Sequence, residues 1–166
     1  VLGGGIVPGA VILLSGEPGV GKSTLLLDVA SRVAAGGKRV LYVSAEESAG
    51  QVYLRASRTN GLHENLLLAN DTDLGSVLGQ IDHVQPKLLI VDSVQTVSSG
   101  LLDGAPGGVA QVREVAPHFI RGPKAVFQCA HKSQGRMGVT IELTHHIDEV
   151  LESARSCHLA IFCDVA

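Results

Sequence analysis

The chain has 166 residues, a formal net charge of −3, 45% hydrophobic and only 3% aromatic residues, and 20 glycines, which suits one α/β domain with a sizeable core. No apolar run reaches the ~20 residues of a membrane span, and three cysteines without C-x-x-C spacing exclude a disulfide framework or zinc knuckle and predict a reducing, cytoplasmic setting. The charge gives no support to a strongly basic nucleic-acid surface, although a local basic patch is compatible with it.

In chain order, the glycine-rich residues 1–9 turn the backbone into a first buried strand, Val11-Ile12-Leu13-Leu14-Ser15. Gly16-Glu17-Pro18-Gly19-Val20-Gly21-Lys22-Ser23 follows and matches G-x-x-x-x-G-K-[ST] at every defined position. The glycines admit backbone conformations closed to residues with a Cβ, so that successive N–H groups converge on phosphate oxygens, and a helix dipole adds positive potential. Lys22 is expected to meet the β- and γ-phosphates, Ser23 to ligate Mg²⁺ through its hydroxyl, and Thr24 to complete the cradle, with Pro18 stiffening the loop. A helix over 22–35 stops at Gly36-Gly37.

Arg39-Val40-Leu41-Tyr42-Val43 reads as a second strand, with Glu46 and Glu47 just past its end. Ligands bind at the carboxyl ends of strands in open α/β sheets, so one of these carboxylates is expected to polarise an attacking water. Glu46 is favoured, because Glu47 is also explained by the first turn of a helix over 48–59, where a negative charge stabilises the helix. Arg55 and Arg58 of that helix read as solvated surface. Leu66-Leu67-Leu68-Ala69 is a short strand, and Leu74, Val77, Leu78, Ile81 and Val84 recur at helical spacing up to Pro86. Leu88-Leu89-Ile90-Val91-Asp92-Ser93 then predicts a central strand delivering Asp92 to the Mg²⁺ shell.

Residues 98–108 read as a loop and 109–120 as a helix broken near Pro117, with Arg113 and Arg121 as candidate exposed cations. Ala125-Val126-Phe127-Gln128-Cys129-Ala130 is a strand ending at His131, where a polar side chain beside Asp92 is placed to sense a γ-phosphate; an ordinary loop histidine is the alternative. Residues 132–138, with Lys132 and Arg136, have the composition of a mobile basic loop. For 141–154 the periodicity leaves a helix and a helix–strand pair equally open. His145 and His146 are adjacent rather than one turn apart, which is poor spacing for a shared metal. Leu159-Ala160-Ile161-Phe162 is a last, short strand.

Leu2-Gly3-Gly4-Gly5, the P-loop with Thr24-Leu25-Leu26-Leu27, Leu41-Tyr42-Val43-Ser44-Ala45-Glu46-Glu47-Ser48, Val91-Asp92-Ser93-Val94-Gln95-Thr96 and Gly108-Val109-Ala110-Gln111-Val112-Arg113-Glu114 fall in order over residues 1–116. Together they resemble the ATPase core of the RadA (Sms) family of bacterial DNA-repair proteins, within the RecA superfamily. The resemblance implies a RecA-like P-loop NTPase core, with a mostly parallel central sheet flanked by helices, that hydrolyses ATP with Mg²⁺. It also implies binding to single-stranded DNA, assembly into a homo-oligomeric ring or filament, and processing of recombination intermediates by branch migration. By position Glu46 matches the family's catalytic glutamate, Lys22 and Ser23 its P-loop pair, Asp92 its metal-side acid and His131 the histidine of Gly-His-x-Thr-Lys. The implied strand order runs from Leu66 through Arg39, Leu88 and Ala125 to Val11, all parallel.

Beyond about Ala116 the likeness thins. Ala130-His131-Lys132-Ser133-Gln134 puts Gln134 where the family has lysine, while Leu143-Thr144-His145-His146-Ile147-Asp148-Glu149-Val150-Leu151 echoes its Leu-Glu-His-x-x-Asp-x-Val-Leu. The family's four-cysteine zinc finger, Lys-Asn-Arg-Phe-Gly motif and Lon-protease-like domain have no counterpart in 1–166, and the first residue is not Met, so the chain is expected to be a single excised domain. Two other functions stay open: a nucleotide-dependent assembly module, and another RecA-like ATPase of the KaiC or replicative-helicase kind.

Overall fold

The computed structural model describes residues 10–14, 19–100, 115, 118–119, 126–133, 136–140 and 160–164. Seven strands form one sheet: β1 (Ala10–Leu14), β2 (Val40–Ser44), β3 (Leu66–Asn70), β4 (Leu88–Asp92), β5 (Val126–Ser133), β6 (Arg136–Thr140) and β7 (Ala160–Asp164), in the order β3-β2-β4-β7-β1-β5-β6. Three helices, α1 (Lys22–Ala35), α2 (Ala49–Arg58) and α3 (Leu74–Val84), alternate with the first four strands. The α/β class expected from the sequence is what the fold shows.

The apolar runs of β2 and β4 are continuous because both faces of these strands are covered. On one face Val40, Tyr42, Leu88 and Ile90 pack with Leu26, Leu27 and Ala30 of α1 and Val52 and Ala56 of α2. On the other, Leu41, Val43, Leu89 and Val91 pack with Leu74, Val77 and Ile81 of α3 and with Val115 and Phe119. Full burial of a side chain such as Leu26 or Ile90 contributes about 1.5–3 kcal/mol. Val115, His118 and Phe119 are helical, and the rest of the helix expected over 109–120 lies outside the described residues.

Helix ends follow local chemistry. Ser48 caps α2 in a reciprocal capping box with Gln51, and Asp73 caps α3 by accepting from the Ser76 N–H at 2.8 Å. The cap of α1 is Gly21, at φ 91° and with no side-chain hydrogen bond. The cap residue therefore supplies no side-chain acceptor to the first turn of α1.

Two expectations are corrected here. The strands are not all parallel in the order implied by the family: β3, β2 and β4 are parallel neighbours, but β7 runs antiparallel between β4 and β1, and β5 lies on the far side of β1. The place beside β4, toward the centre of the sheet, goes to the more apolar run, Ala160-Ile161-Phe162-Cys163, while β5, which carries Gln128 and runs on into His131-Lys132-Ser133, lies one strand from the sheet edge. The second correction concerns 132–138. Lys132 and Ser133 belong to β5, and Arg136 begins β6, which pairs antiparallel with it, Ser133 opposite Arg136 and Lys132 opposite Met137. The backbone N–H and C=O groups there are paired in a ladder rather than left to a loop. Residues 141–154, with His145 and His146, lie outside the described residues, as do Arg113 and Arg121.

Candidate functional site

The register places the carboxyl ends of β2 and β4 side by side, Ser44 opposite Asp92. The Ala45 N–H donates to the Asp92 carbonyl at 2.9 Å, so the chain leaving β2 starts beside the chain leaving β4. Because α1 packs across these two strands, its uncapped N-terminus reaches the same end of the sheet, which is where ligands bind in open α/β folds.

A cleft of about 370 Å³ opens there. Gly19, Gly21, Lys22, Ser23 and Thr24, from the glycine turn and α1, line it together with Glu46 and Glu47 after β2, Arg55 of α2 and Asp92 of β4. Gly19 at φ 80° and Gly21 at φ 91° take left-handed conformations that side chains disfavour, and no atom lies within 4 Å of where a Cβ would stand at either. Backbone conformation, not crowding, calls for glycine at these two positions. Val20 is exposed beside them. Gly16, Glu17 and Pro18 lie outside the described residues.

The acids are held individually. Tyr42, 1% exposed, donates its hydroxyl to Asp92 Oδ2 at 2.7 Å. Burial first, and the Asp92 charge second, push the phenol well above its ordinary range, so the hydroxyl stays a donor at neutral pH. Ser93 is fully buried and donates its hydroxyl to Glu46 Oε1 at 2.6 Å. Glu47 donates its N–H to Ser44 Oγ at 3.0 Å, and the Asn70 amide donates to the carbonyls of both Ser44 and Glu47 at 2.9 Å. The Glu47 carboxylate forms an ion pair with Arg55 Nη2.

Several expected residues therefore meet in one place: Lys22, Ser23, Thr24, Glu46 and Asp92 share the cleft. Neither glutamate lies in the first turn of α2, because the cap is Ser48 and both precede it. Arg55 is not a solvated surface residue but a cleft residue, paired with Glu47; Arg58 is exposed. His131 does not stand beside Asp92. Two strands, β7 and β1, separate β5 from β4, and the pairing of Leu14 with Ala130 sets His131 one residue beyond the end of β1.

The residues fit a magnesium nucleotide. A serine hydroxyl and an aspartate carboxylate are hard oxygen donors, and Mg²⁺ takes one or two protein ligands while phosphates and water complete its shell. The first-turn N–H groups of α1 and the Lys22 ammonium suit the phosphates. Among the described residues no group of three or more His, Cys, Asp or Glu is arranged for a metal, and no helix is long and apolar enough to cross a membrane.

Tyr42, Ser93, Asn70 and Arg55 had no site role on the sequence alone. One signal existed for Tyr42: a phenol amid an otherwise apolar central strand needs a buried partner for its hydroxyl. The Arg55 pair spans eight residues, outside the i,i+4 spacing that marks ion pairs on a helix.

The sheet with its carboxyl-end cleft and glycine turn into α1 defines the α/β P-loop class. The family model described as AAA domain matches residues 1–149, and the chain belongs to that family. It is also 58% identical over 125 residues to the DNA repair protein RadA of Mycolicibacterium smegmatis, covering 75% of this chain and 27% of that protein. Likeness to the DNA repair protein RadA of Mycobacterium tuberculosis (H37Rv) is 52% over 158 residues, 91% of this chain and 33% of that one. To RadA of Halalkalibacterium halodurans it is 44% over 156 residues, 91% and 34%. The chain thus spans about a third of the length of the curated relatives it matches, and the resemblance to RadA read from the motifs is borne out.

The Tyr42–Asp92 bond yields a first prediction. Tyr42→Phe removes the buried donor to a carboxylate, and because Asp92 is partly open to water the expected loss is about 1.5 kcal/mol, the low end for hydrogen bonds to charged groups. Urea unfolding measures it; an unchanged midpoint would mean that water replaces the phenol at no cost.

Proposed function

We propose that this chain is the ATPase core of a DNA-repair protein, binding ATP with Mg²⁺ and hydrolysing it. The observation that carries the proposal is the convergence of Lys22, Ser23, Glu46 and Asp92 on one cleft at the uncapped end of α1. Phosphate binding follows from the N–H groups of α1 and from Lys22; Ser23 and Asp92 would hold the metal, which offsets phosphate charge when bound.

Glu46 is the proposed general base. Its carboxylate is oriented by the Ser93 hydroxyl, and a carboxylate held at the cleft is suited to take a water proton. Asp92, oriented in turn by Tyr42, would help hold the metal. Gly16, Glu17, Pro18, Gly19, Val20, Gly21 and Thr24 form the remaining cradle in this reading. His131, on a strand that follows β1 in the sheet rather than beside Asp92, is proposed to respond to the bound nucleotide.

The names of the relatives support the DNA-repair reading. We extend it to binding of single-stranded DNA, branch migration and a homo-oligomeric ring or filament working in the cytoplasm. Lys132 and Arg136, on adjacent strands at the β6 edge of the sheet, are the proposed DNA-binding cations, with Arg113 and Arg121 added if subunits bring them to the same side. With net charge −3 and few aromatics to stack on bases, affinity must come mainly from pairing with phosphates. One subunit is expected to bind weakly and an oligomer more tightly through avidity.

Steady-state phosphate release with and without single-stranded DNA tests the motor. Anisotropy of labelled single-stranded DNA, titrated at two salt concentrations with an ATP analogue present, tests the DNA-binding edge. Lys132→Ala/Arg136→Ala is expected to weaken binding and to flatten the salt dependence by about one unit of slope for each phosphate that is no longer neutralised. Equal binding by parent and variant would take this edge out of the DNA path. Nucleotide binding without turnover or DNA affinity would favour a nucleotide-dependent assembly module.

A further inference from the structure

The cleft contains a second cation, contributed by an element other than the P-loop and α1. Arg55 lies on α2, one turn from the core residue Val52 and next to Ala56, so the packing of the helix fixes where its side chain starts. Its side chain is 28% exposed and lines the cleft together with Lys22, Ser23, Glu46 and Asp92. Its partner Glu47 is anchored through its own backbone, by Ser44 and Asn70. Both Glu47 oxygens engage one nitrogen, Nη2. The pair is partly open to water, Glu47 being 36% exposed. A guanidinium that starts from a packed helix and lines a cleft with the P-loop residues is placed to exchange its carboxylate for a more highly charged oxyanion.

We propose that Arg55 is the residue by which this cleft distinguishes a nucleoside triphosphate from a diphosphate, its guanidinium passing from Glu47 to the terminal phosphate when a triphosphate is bound. The inference rests on the nucleotide-binding reading above and goes beyond it, since that reading assigns no role to Arg55. Lys22, at the start of α1, belongs to the P-loop and meets the β-phosphate, which both nucleotides carry, as well as the γ-phosphate. Arg55 comes from α2 and shares the cleft with Glu46 and Asp92, the acids assigned to the water and the metal. Glu47 then serves as a counter-ion that keeps the guanidinium at the cleft while no triphosphate is present, and it competes with the triphosphate for Arg55.

The test is calorimetric titration of the 166-residue chain with a non-hydrolysable ATP analogue and, separately, with ADP, both with Mg²⁺. Arg55→Ala is expected to weaken the ATP analogue by ~10- to 100-fold, as for loss of hydrogen bonds to a charged group, while ADP affinity shifts by less than about threefold. Arg55→Lys keeps the charge without the fork and should recover only part of the loss. Glu47→Gln frees Arg55 and is expected to tighten the ATP analogue while leaving ADP unchanged. A merely structural pair gives a different pattern: breaking it from either side weakens both nucleotides alike. Equal losses for the two nucleotides, or no loss for either, would overturn the role of Arg55. Thermal melting of each variant identifies any that fail to fold, and if Arg55→Ala is one of them, Arg55→Lys and Glu47→Gln decide. A parent chain that binds neither nucleotide removes the nucleotide reading and this inference together, whereas a parent that binds both with equal response to Arg55→Ala removes the inference alone.

Discussion

Lys22→Ala is expected to lower affinity for ATP with Mg²⁺ by roughly 10²-fold, the scale of removing one partner of a close, partly desolvated charge pair. Lys22 is the first residue of α1, directly after the Gly21 cap, and is half-buried at the cleft wall. Its helix cannot shift to compensate, because Leu26, Leu27 and Ala30 lock it onto β2 and β4. Arg55 starts from α2, and the contact proposed for it is with the terminal phosphate, so it does not supply the missing charge at the β-phosphate. The backbone N–H groups at the helix start would remain, which is why weak binding rather than none is expected. Lys22 is not a core residue, so the melting temperature should hold. Titration with a fluorescent ATP analogue measures the effect; parental affinity together with parental turnover would mean that the loop is a glycine-rich turn and not a phosphate site.

The features legible in the sequence were those set by local chemistry. The α1 bounds follow from periodicity and the Gly36-Gly37 stop, and those of α3 from its apolar spacing and Pro86. The strands β2 and β4 were legible because four or more apolar residues in a row between breakers signal burial on both faces. Asp92 was legible at a strand end after a P-loop. Pairing between distant segments was not legible: residues 126–130 and 160–163 are both short and largely apolar, and neither periodicity nor length says which of them enters beside β4. The family order assigned that place to the wrong one. The hairpin of β5 and β6 was missed because polar residues at a sheet edge have the same composition as a loop. Within the site, chain position found the acids but not what holds them. Ser93, Tyr42 and Asn70 act across strand neighbours, and their partners are set by register rather than by spacing along the chain.

Glu46→Gln is expected to leave ATP binding near parental while slowing hydrolysis by ~10²-fold or more, the usual range for loss of a positioned general base. The two effects separate because Glu46 is exposed at the cleft rim and is not part of the P-loop. An amide at the same position keeps an oxygen that can accept the Ser93 hydroxyl, so geometry is preserved while the ability to take a proton is lost. Glu47 is not expected to replace it, since its backbone is fixed by Ser44 and Asn70 and the role proposed for its carboxylate is that of counter-ion to Arg55. Single-turnover hydrolysis measured alongside nucleotide affinity tests this directly, and Glu47→Gln is the matched comparison: it should change nucleotide discrimination while retaining chemistry. A Glu46→Gln protein with parental turnover, next to a Glu47→Gln protein that binds ATP but does not hydrolyse it, would transfer the base to Glu47. In that case the Ser93 bond would be a fastening of the loop after β2, and the attacking water would lie on the Arg55 side of the cleft.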